Sequence, residues 1–231
     1  MSTTARTLAL VAALTLALTG CSAKKDKTTP PEDPAAAAAL LVEAAAATAE
    51  IKTTHFVLDV DGTITGLSVK HAEGDLTREG SAKGTASINQ FGSTFEAEFV
   101  MVDKKLYLKG PTGGFQQLDA AAAAFVYDPS AILDPQRGVA KILSAARNPK
   151  MLGIEKVEGS DANKIGLDTD PATLAALIPG APQGVTVVVW VDSTTKKLVK
   201  GAFTVPGASG AGGTVTVTLT KHDAPVTISA P

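Results

Sequence analysis

The sequence predicts an α+β fold: one curved antiparallel sheet with helices against one face. Three observations predict it. The chain reads helix, strands, helices, strands rather than alternating strand and helix. Turn signals recur at roughly ten-residue spacing through the strand regions, the mark of an antiparallel meander. Within those regions apolar residues alternate with polar ones, the period of a half-buried strand.

The first segment is read as a leader rather than as part of the fold. Arg6 and the α-amine precede an apolar run, Leu8–Leu18. That length suits a secretory signal and is too short to cross a bilayer, which takes roughly 20 residues. Leu18-Thr19-Gly20-Cys21 follows, with small residues directly before a cysteine, the form of a lipobox. Residues 1–20 are therefore expected to be a removable lipoprotein signal peptide. Cys21 is expected to be the lipid attachment site, carrying diacylglycerol on sulfur and, on the new amine, a further acyl chain such as palmitate. Two or three acyl chains anchor stably where one does not. The expected location is the cell membrane, lipid-anchored on its extracytoplasmic (periplasmic) side. Cys21 is the single cysteine, so no disulfide forms within the chain. Residues 21–34 are polar, charged and Pro-rich, a lipidated flexible tether. Residues 35–231 have the length of a single domain.

Ala35–Lys52 predicts a helix with Leu41, Ala45, Thr48 and Ile51 on one face and Pro34 at its first turn. From Thr54 the period becomes two. Phe56, Leu58 and Val60 alternate with His55, Val57 and Asp59, and Asp61-Gly62 signals a turn. Leu67–His71 and Asp75–Arg78 read as short strands separated by Glu73-Gly74. Gly84–Gln90 and Thr94–Val102 follow, the second with Phe95, Ala97, Phe99 and Met101 on one face. Asp103-Lys104 turns the chain into Lys105–Lys109.

The middle reads as helical. Ala120–Val126 is a short apolar helix and Pro129–Leu133 a single turn. Asp134 is expected to cap a helix from Pro135 to about Arg147, with Val139, Ile142, Leu143 and Ala146 as its buried stripe and Asn148-Pro149 as its end. Strands return at Gly153–Glu158 and Ala162–Leu167. Asp170 caps a short helix, Pro171–Ile178. Val185–Val191 is almost wholly apolar and should be covered on both faces. Lys197–Val205, the Gly-rich turn Gly207–Gly213, Thr214–Thr220 and Val226–Ile228 complete the chain.

Composition narrows the function. The formal net charge is −2, and no Lys/Arg cluster interleaves with aromatics, so no nucleic-acid partner is expected. The sequence holds no G-x-S-x-G, H-E-x-x-H, P-loop or G-x-G-x-x-G pattern. Of the three histidines, His55, His71 and His222, none has metal-ligand spacing, and each is expected to play a pH-insensitive surface role. No metal, no cofactor and no catalytic constellation is expected. The stretch Phe56–Ile64, FVLDVDGTI, resembles the first motif of haloacid-dehalogenase-type phosphatases, with Asp59 as nucleophile and Asp61 as general acid/base beside Mg²⁺. That chemistry needs the carboxyl end of a parallel strand followed by a crossover helix. Here short strands follow, so both acids are read as surface and turn positions. Hydrophobic residues reach 45% while aromatics are 4%. Ala, Val and Leu make up the difference, which suits either a small-residue core or a smooth-walled cavity for acyl chains.

Several stretches resemble the mycobacterial lipoprotein family of LprG, LprF and LppX. The strongest is Val126–Leu143, VYDPSAILDPQRGVAKIL, which fits a family block of form Y-D-P-x-x-x-L-[DN]-P-x-x-G-x-A-x-x-L through Tyr127, Asp128, Pro129, Leu133, Asp134, Pro135, Gly138, Ala140 and Leu143. Others are His55–Gly62 with Gly66-Leu67-Ser68, Gly74–Thr77, Ala97–Val100 running to Leu106-Tyr107, and Val189-Trp190-Val191. Gly110–Leu118 and the loop before Val185 match poorly. The resemblance implies a half-barrel sheet with helices over its concave face, as in the LolA and LolB periplasmic lipid carriers, enclosing an apolar cavity. It implies a non-enzymatic carrier of diacylated or triacylated lipid or glycolipid across the cell envelope, with an envelope lipid exporter as a protein partner. The inward positions expected to line the cavity are Phe56, Leu58, Val60, Ala86, Ile88, Phe95, Ala97, Phe99, Met101, Val139, Ile142, Leu143, Val187 and Val189. The alternatives are a surface or binding lipoprotein with a filled core and, far behind, the phosphatase built on Asp59 and Asp61.

Overall fold

In the computed structural model, the structure describes residues 34–90, 92–118, 131–175, 177–178, 181–207 and 212–231. The expected signal peptide, the tether up to residue 33, the predicted helix Ala120–Val126 and much of the turn after Gly207 lie outside them.

Among the described residues, eleven strands form one antiparallel sheet in the spatial order β6-β5-β4-β3-β2-β1-β11-β10-β9-β8-β7. The first meander comprises β1 (Thr53–Gly62), β2 (Val69–Thr77), β3 (Ala82–Gln90), β4 (Ser93–Val102), β5 (Lys105–Lys109) and β6 (Gln116–Leu118). The second comprises β7 (Arg147–Val157), β8 (Ser160–Asp168), β9 (Thr186–Asp192), β10 (Leu198–Val205) and β11 (Gly213–Thr220). Pairing of β1 with β11 joins the two, from His55 opposite Thr220 to Gly62 opposite Gly213. The sheet does not close, since β6 and β7 remain as edges.

Helix α1 (Pro34–Ala49) buries Ala37, Leu41, Ala44 and Thr48. Its alanines favour the helix and leave room for close packing. It packs against α2 (Val139–Ser144), β7 and β10. The hydroxyl of Thr48 accepts a 2.9 Å bond from the Leu198 amide and so pins the end of α1 to the start of β10. The third helix, α3 (Pro171–Leu174), starts at Asp170, whose carboxylate accepts from the Thr173 amide at 2.9 Å. No described helix is long and apolar enough to cross a membrane.

Several sequence expectations change. The helix face is wider than expected, burying Ala37 and Ala44 as well with Ala45 packed half-buried against the same core, and Ile51 is buried beyond the end of α1. Asp61-Gly62 is not a turn: both residues pair with β11, opposite Thr214 and Gly213. Glu73-Gly74 is not a turn either, because β2 runs unbroken through it. There a glycine serves close approach rather than reversal. The helix expected from Pro135 to Arg147 spans only Val139–Ser144. Asp134 instead caps the turn before it, accepting from the amides of Gln136 and Arg137. Arg147 already begins β7, and Pro149 is tolerated there because β7 is an edge strand. The helix expected to Ile178 ends at Leu174, β6 was not foreseen, and Val226–Ile228 is not a strand.

Two glycine pairs crease the sheet. A Cβ on Gly74 would lie 2.1 Å from the Lys83 carbonyl oxygen, and one on Gly84 would lie 2.0 Å from that of Glu73. A Cβ on Gly62 would lie 2.3 Å from the Gly212 carbonyl oxygen. Real side chains do not fit, so at both places the strands close together on the side facing the core, as at the corners of barrels.

Candidate functional site

The registers set which side chains share the inner face. One row runs from β4 to β7 as Ala97, Ala86, Ala72, Leu58, Val217, Gly201, Val189, Ile165 and Met151. The row beside it on the first meander is Phe56, Gly74, Gly84 and Phe99. Small residues therefore concentrate on β2, β3 and β4, and Leu, Val and Ile on β1, β11, β9 and β8.

Every residue expected on the cavity wall falls in one apolar cluster. Phe56, Leu58, Val60, Ala86, Ile88, Ala97, Phe99, Met101, Val139, Ile142, Leu143, Val187 and Val189 are buried in it, with Phe95 packed half-buried against it. Other large members of the cluster were not assigned to the wall: Leu41, read on the inner face of the first helix, and Ile165, Leu174, Phe203, Val215 and Leu219. The alternation in β10 and β11 carried the signal for Phe203, Val215 and Leu219. Burial is graded across the sheet. Val187, Val189, Ile142 and Leu143 are at most 2% exposed, while Ala86, Ile88 and Met101 reach 8–9%. Phe95, Leu108 and Leu118 are only partly covered.

The buried polar residues among those described are Thr48, Thr54 and Asp192. Each is satisfied: Thr48 by Leu198, Thr54 by the Thr220 carbonyl at 2.8 Å, and Asp192 by Thr194 and Thr195. Burial would push the Asp192 carboxyl up, and the bonds from Thr195 and Thr194 more than offset it, leaving the group below its ordinary value. The inner face therefore offers area and shape rather than directional polar groups.

The outer face is polar. Asp59 accepts from or faces His71 Nδ1 at 2.7 Å, and His55 Nδ1 meets Asp75 at 2.9 Å, each pair directly opposite across β1 and β2. Both histidines lie partly exposed on the outer face, as expected, each beside a carboxylate. His222 is half-buried, with Nδ1 3.1 Å from the Thr54 hydroxyl. Burial first, and then the charge of Lys197, hold its imidazole below the ordinary range, against Asp223 and Asp192. Asp59 and Asp61 both stand exposed on a strand that is antiparallel to each neighbour. That is not the parallel carboxyl end that a haloacid-dehalogenase nucleophile needs. Among the described residues no cluster of three His, Cys, Asp or Glu is placed to hold a metal. Trp190 is buried on the outer face, as foreseen for a strand covered on both sides. Lys164 and Lys200 lie 5.2 and 4.8 Å from its ring centroid, and its indole N–H donates to Glu155 at 2.8 Å. Bonds from Lys164 and then Trp190 hold the Glu155 carboxyl below its usual range.

Known proteins share this architecture. The chain is 31% identical over 188 residues to the lipoarabinomannan carrier protein LprG of Mycobacterium leprae (strain TN), covering 80% of this chain and 77% of that one. It is 26% identical over 196 residues to LprF of Mycobacterium bovis (strain ATCC BAA-935 / AF2122/97), described by name as a proposed transporter of diacylated glycolipid, covering 80% and 74%. The crystal structure of LprF from Mycobacterium bovis superposes with a TM-score of 0.74 at 24% identity, covering 87% of this chain and 98% of that one. The crystal structure of LppX from Mycobacterium tuberculosis gives 0.66 at 18%, covering 85% and 100%. A family model described as LppX_LprAFG lipoprotein matches residues 36–228, and the chain belongs to that family.

Proposed function

We propose that this protein is a membrane-anchored, non-enzymatic carrier that holds a diacylated or triacylated lipid or glycolipid between its inner sheet face and its helices and moves it across the cell envelope. One observation carries the reading. Three alanines and two glycines occupy neighbouring inner positions on β2, β3 and β4, beside the half-buried Phe95, Leu108 and Leu118. Small side chains on these strands give a smooth apolar wall, and acyl chains need apolar walls with few polar groups. Membership of a family with a lipoarabinomannan carrier supports the same cargo class. Such a site replaces the surroundings a lipid loses on leaving a bilayer, worth about 0.8 kcal/mol per buried CH₂. The Cys21 anchor and tether hold the carrier at the membrane, and an envelope lipid exporter is the protein partner that would pass lipid to it or take it away.

The test is mass spectrometry of organic extracts from protein purified out of a lipid-rich actinobacterial host. The carrier reading expects acylated lipid in stoichiometric amount. Protein that carries no lipid, and takes up none from added glycolipid, would favour a filled-core lipoprotein instead.

A further inference from the structure

Among the described residues three large apolar side chains are exposed: Val42 at 69%, Leu152 at 45% and Ile154 at 57%. Leu152 and Ile154 lie two residues apart on β7, the free edge of the second meander, and α1, which carries Val42 on its exposed side, packs against that strand. Ile154 shares the inner face through its pairing with Asn163. Leu152 sits at a bulge and lies over Gly166 on the outer face. The edge therefore presents apolar side chains from both of its faces, beside a helix.

The charge along β7 is basic, whereas α1 contributes Glu43 and no cation. Strand β7 carries Arg147, Lys150 and Lys156 against Glu155 alone. Its acids and those of β8 are engaged: Glu155 by Lys164 and Trp190, Asp161 by Lys156, and Asp168 by Asn148. Arg147 lies 3.8 Å from Asp170 and Lys156 pairs with Asp161, while Lys150 and, on α2, Lys141 enter none of the ion pairs among the described residues.

The position of α1 in the chain adds the third element. It begins at Pro34, and residues 22–33 separate it from Cys21. Were that segment an unstructured tether, as its composition leads one to expect, its average span would be roughly 20 Å. On the anchored-carrier reading, on which this inference rests, α1 and the strand packed against it stay within reach of the bilayer.

We infer that the rim formed by β7 and α1 is a docking surface for an anionic phospholipid bilayer, with Leu152 and Ile154 entering the headgroup boundary and Lys150, Arg147 and Lys141 facing lipid phosphate. Apolar side chains flanked by cations are the composition that interfacial binding requires. The competing occupant of a free edge is another strand. This edge opposes one: it holds Pro149, register shifts after Arg147 and after Met151, and Gly153 at φ +119°. Bulges, proline and lysines are the devices by which edges refuse strand pairing.

The experiment uses the mature lipoprotein bound to vesicles of phosphatidylcholine and phosphatidylglycerol in equal parts. Leu152→Cys, Ile154→Cys and, on the outer face of β11, Thr216→Cys are each labelled with an environment-sensitive dye. Spin-labelled phosphatidylcholine serves as quencher. The expected result is a blue shift and strong quenching at 152 and 154 and little at 216, weakening when phosphatidylglycerol is left out. Equal quenching at all three positions would overturn the docking surface. So would a chain that runs as a dimer without vesicles and shields position 152 there, which would assign the rim to a second copy. The parent chain, labelled alongside, separates this inference from the anchor reading. Dye uptake there means that Cys21 is a free thiol, and the rim is then read from the same labels on vesicles added to the soluble chain.

Discussion

The rings of Phe56 and Phe99 meet over two glycines. Their centroids are 6.5 Å apart and tilted by 44°, although β2 and β3 lie between the strands that bear them. Flat strands about 4.8 Å apart would hold the two positions roughly 14 Å from each other. Gly74 and Gly84 occupy the intervening register positions. They place no side chain between the rings, and their close approach draws the strands together on that side. A tilted aromatic pair contributes about 0.5–1.5 kcal/mol beyond its buried area, so glycine here is part of the packing.

Gly84→Ala is expected to be costly. Its Cβ would sit 2.0 Å from the Glu73 carbonyl oxygen and 2.8 Å from the Gly74 Cα, both backbone atoms that cannot swing aside. The loss should be about 3 kcal/mol, the upper end of overpacking effects. Gly110→Ala, with nothing within 4 Å of the added Cβ, should change stability by less than about 0.5 kcal/mol. Urea denaturation followed by Trp190 fluorescence compares the two. Equal midpoints would remove the crease from the account.

Much of the fold was legible because alternation is a local signal. The runs Phe56 to Val60 and Thr94 to Val102 each named their inner face correctly, and Lys105–Lys109 is a strand with the expected bounds. Glycine misled. Glu73-Gly74 and Asp61-Gly62 have the composition of turns, yet Gly74 and Gly62 lie where a neighbouring strand comes too near for a side chain, a tertiary fact that no local window contains. The helix after Pro135 was overestimated for a related reason. Gly138 is packed against the carbonyl oxygens of Ala131, Ile132 and Asp134, so the chain turns there before it winds. The candidate wall residues were legible as an inner face, whereas the docking rim was not. Leu152 and Ile154 look like core in sequence, and only the strand order shows that β7 has no neighbour beyond it.

His222 should make stability depend on pH. Its Nδ1 lies 3.1 Å from the Thr54 hydroxyl, which also has the Thr220 carbonyl within 2.8 Å. Nε2 is buried, and the Leu198 backbone beside the ring only partly offsets the cost of charging it. Protonating it would bury a charged N–H near Lys197. The folded pKa therefore lies below the unfolded value of 6.5. For a group with a depressed folded pKa, the unfolded chain takes up the proton first as pH falls. The stabilisation is fully present above about pH 6.5 and is lost as pH drops from there through the folded pKa. Denaturation midpoints between pH 7.5 and 5.5 should fall in the parent and change less in His222→Gln. An equal fall in both would assign the pH dependence to other groups.

Cys21→Ser should abolish lipidation and release the protein from the membrane, because the lipobox Leu18–Cys21 directly follows the apolar run of the leader. Radioactive palmitate reads this directly. Incorporation at the parent level would mean that Cys21 is not the attachment site.

Ala86→Trp separates a lipid cavity from a solid core. Ala86 faces Ala72 on β2 and Ala97 on β4, so an indole placed there meets two small side chains, and it is among the less sealed residues of the inner face. In a filled core the added volume would have to displace packed neighbours, at a cost of about 1–3 kcal/mol or more. In a carrier the indole takes space meant for acyl chains, so the ligand-free fold survives while its capacity falls. The expectation is an unfolding midpoint for delipidated Ala86→Trp close to that of the delipidated parent, together with less lipid in the organic extract of the purified protein. Both measurements are needed, because lost lipid alone would also follow from simple unfolding. A mutant that unfolds when stripped of lipid favours the filled core. One that stays folded and carries as much lipid as the parent removes Ala86 from the wall, and the search for the acyl path then moves toward the half-buried Phe95, Leu108 and Leu118 on β4, β5 and β6.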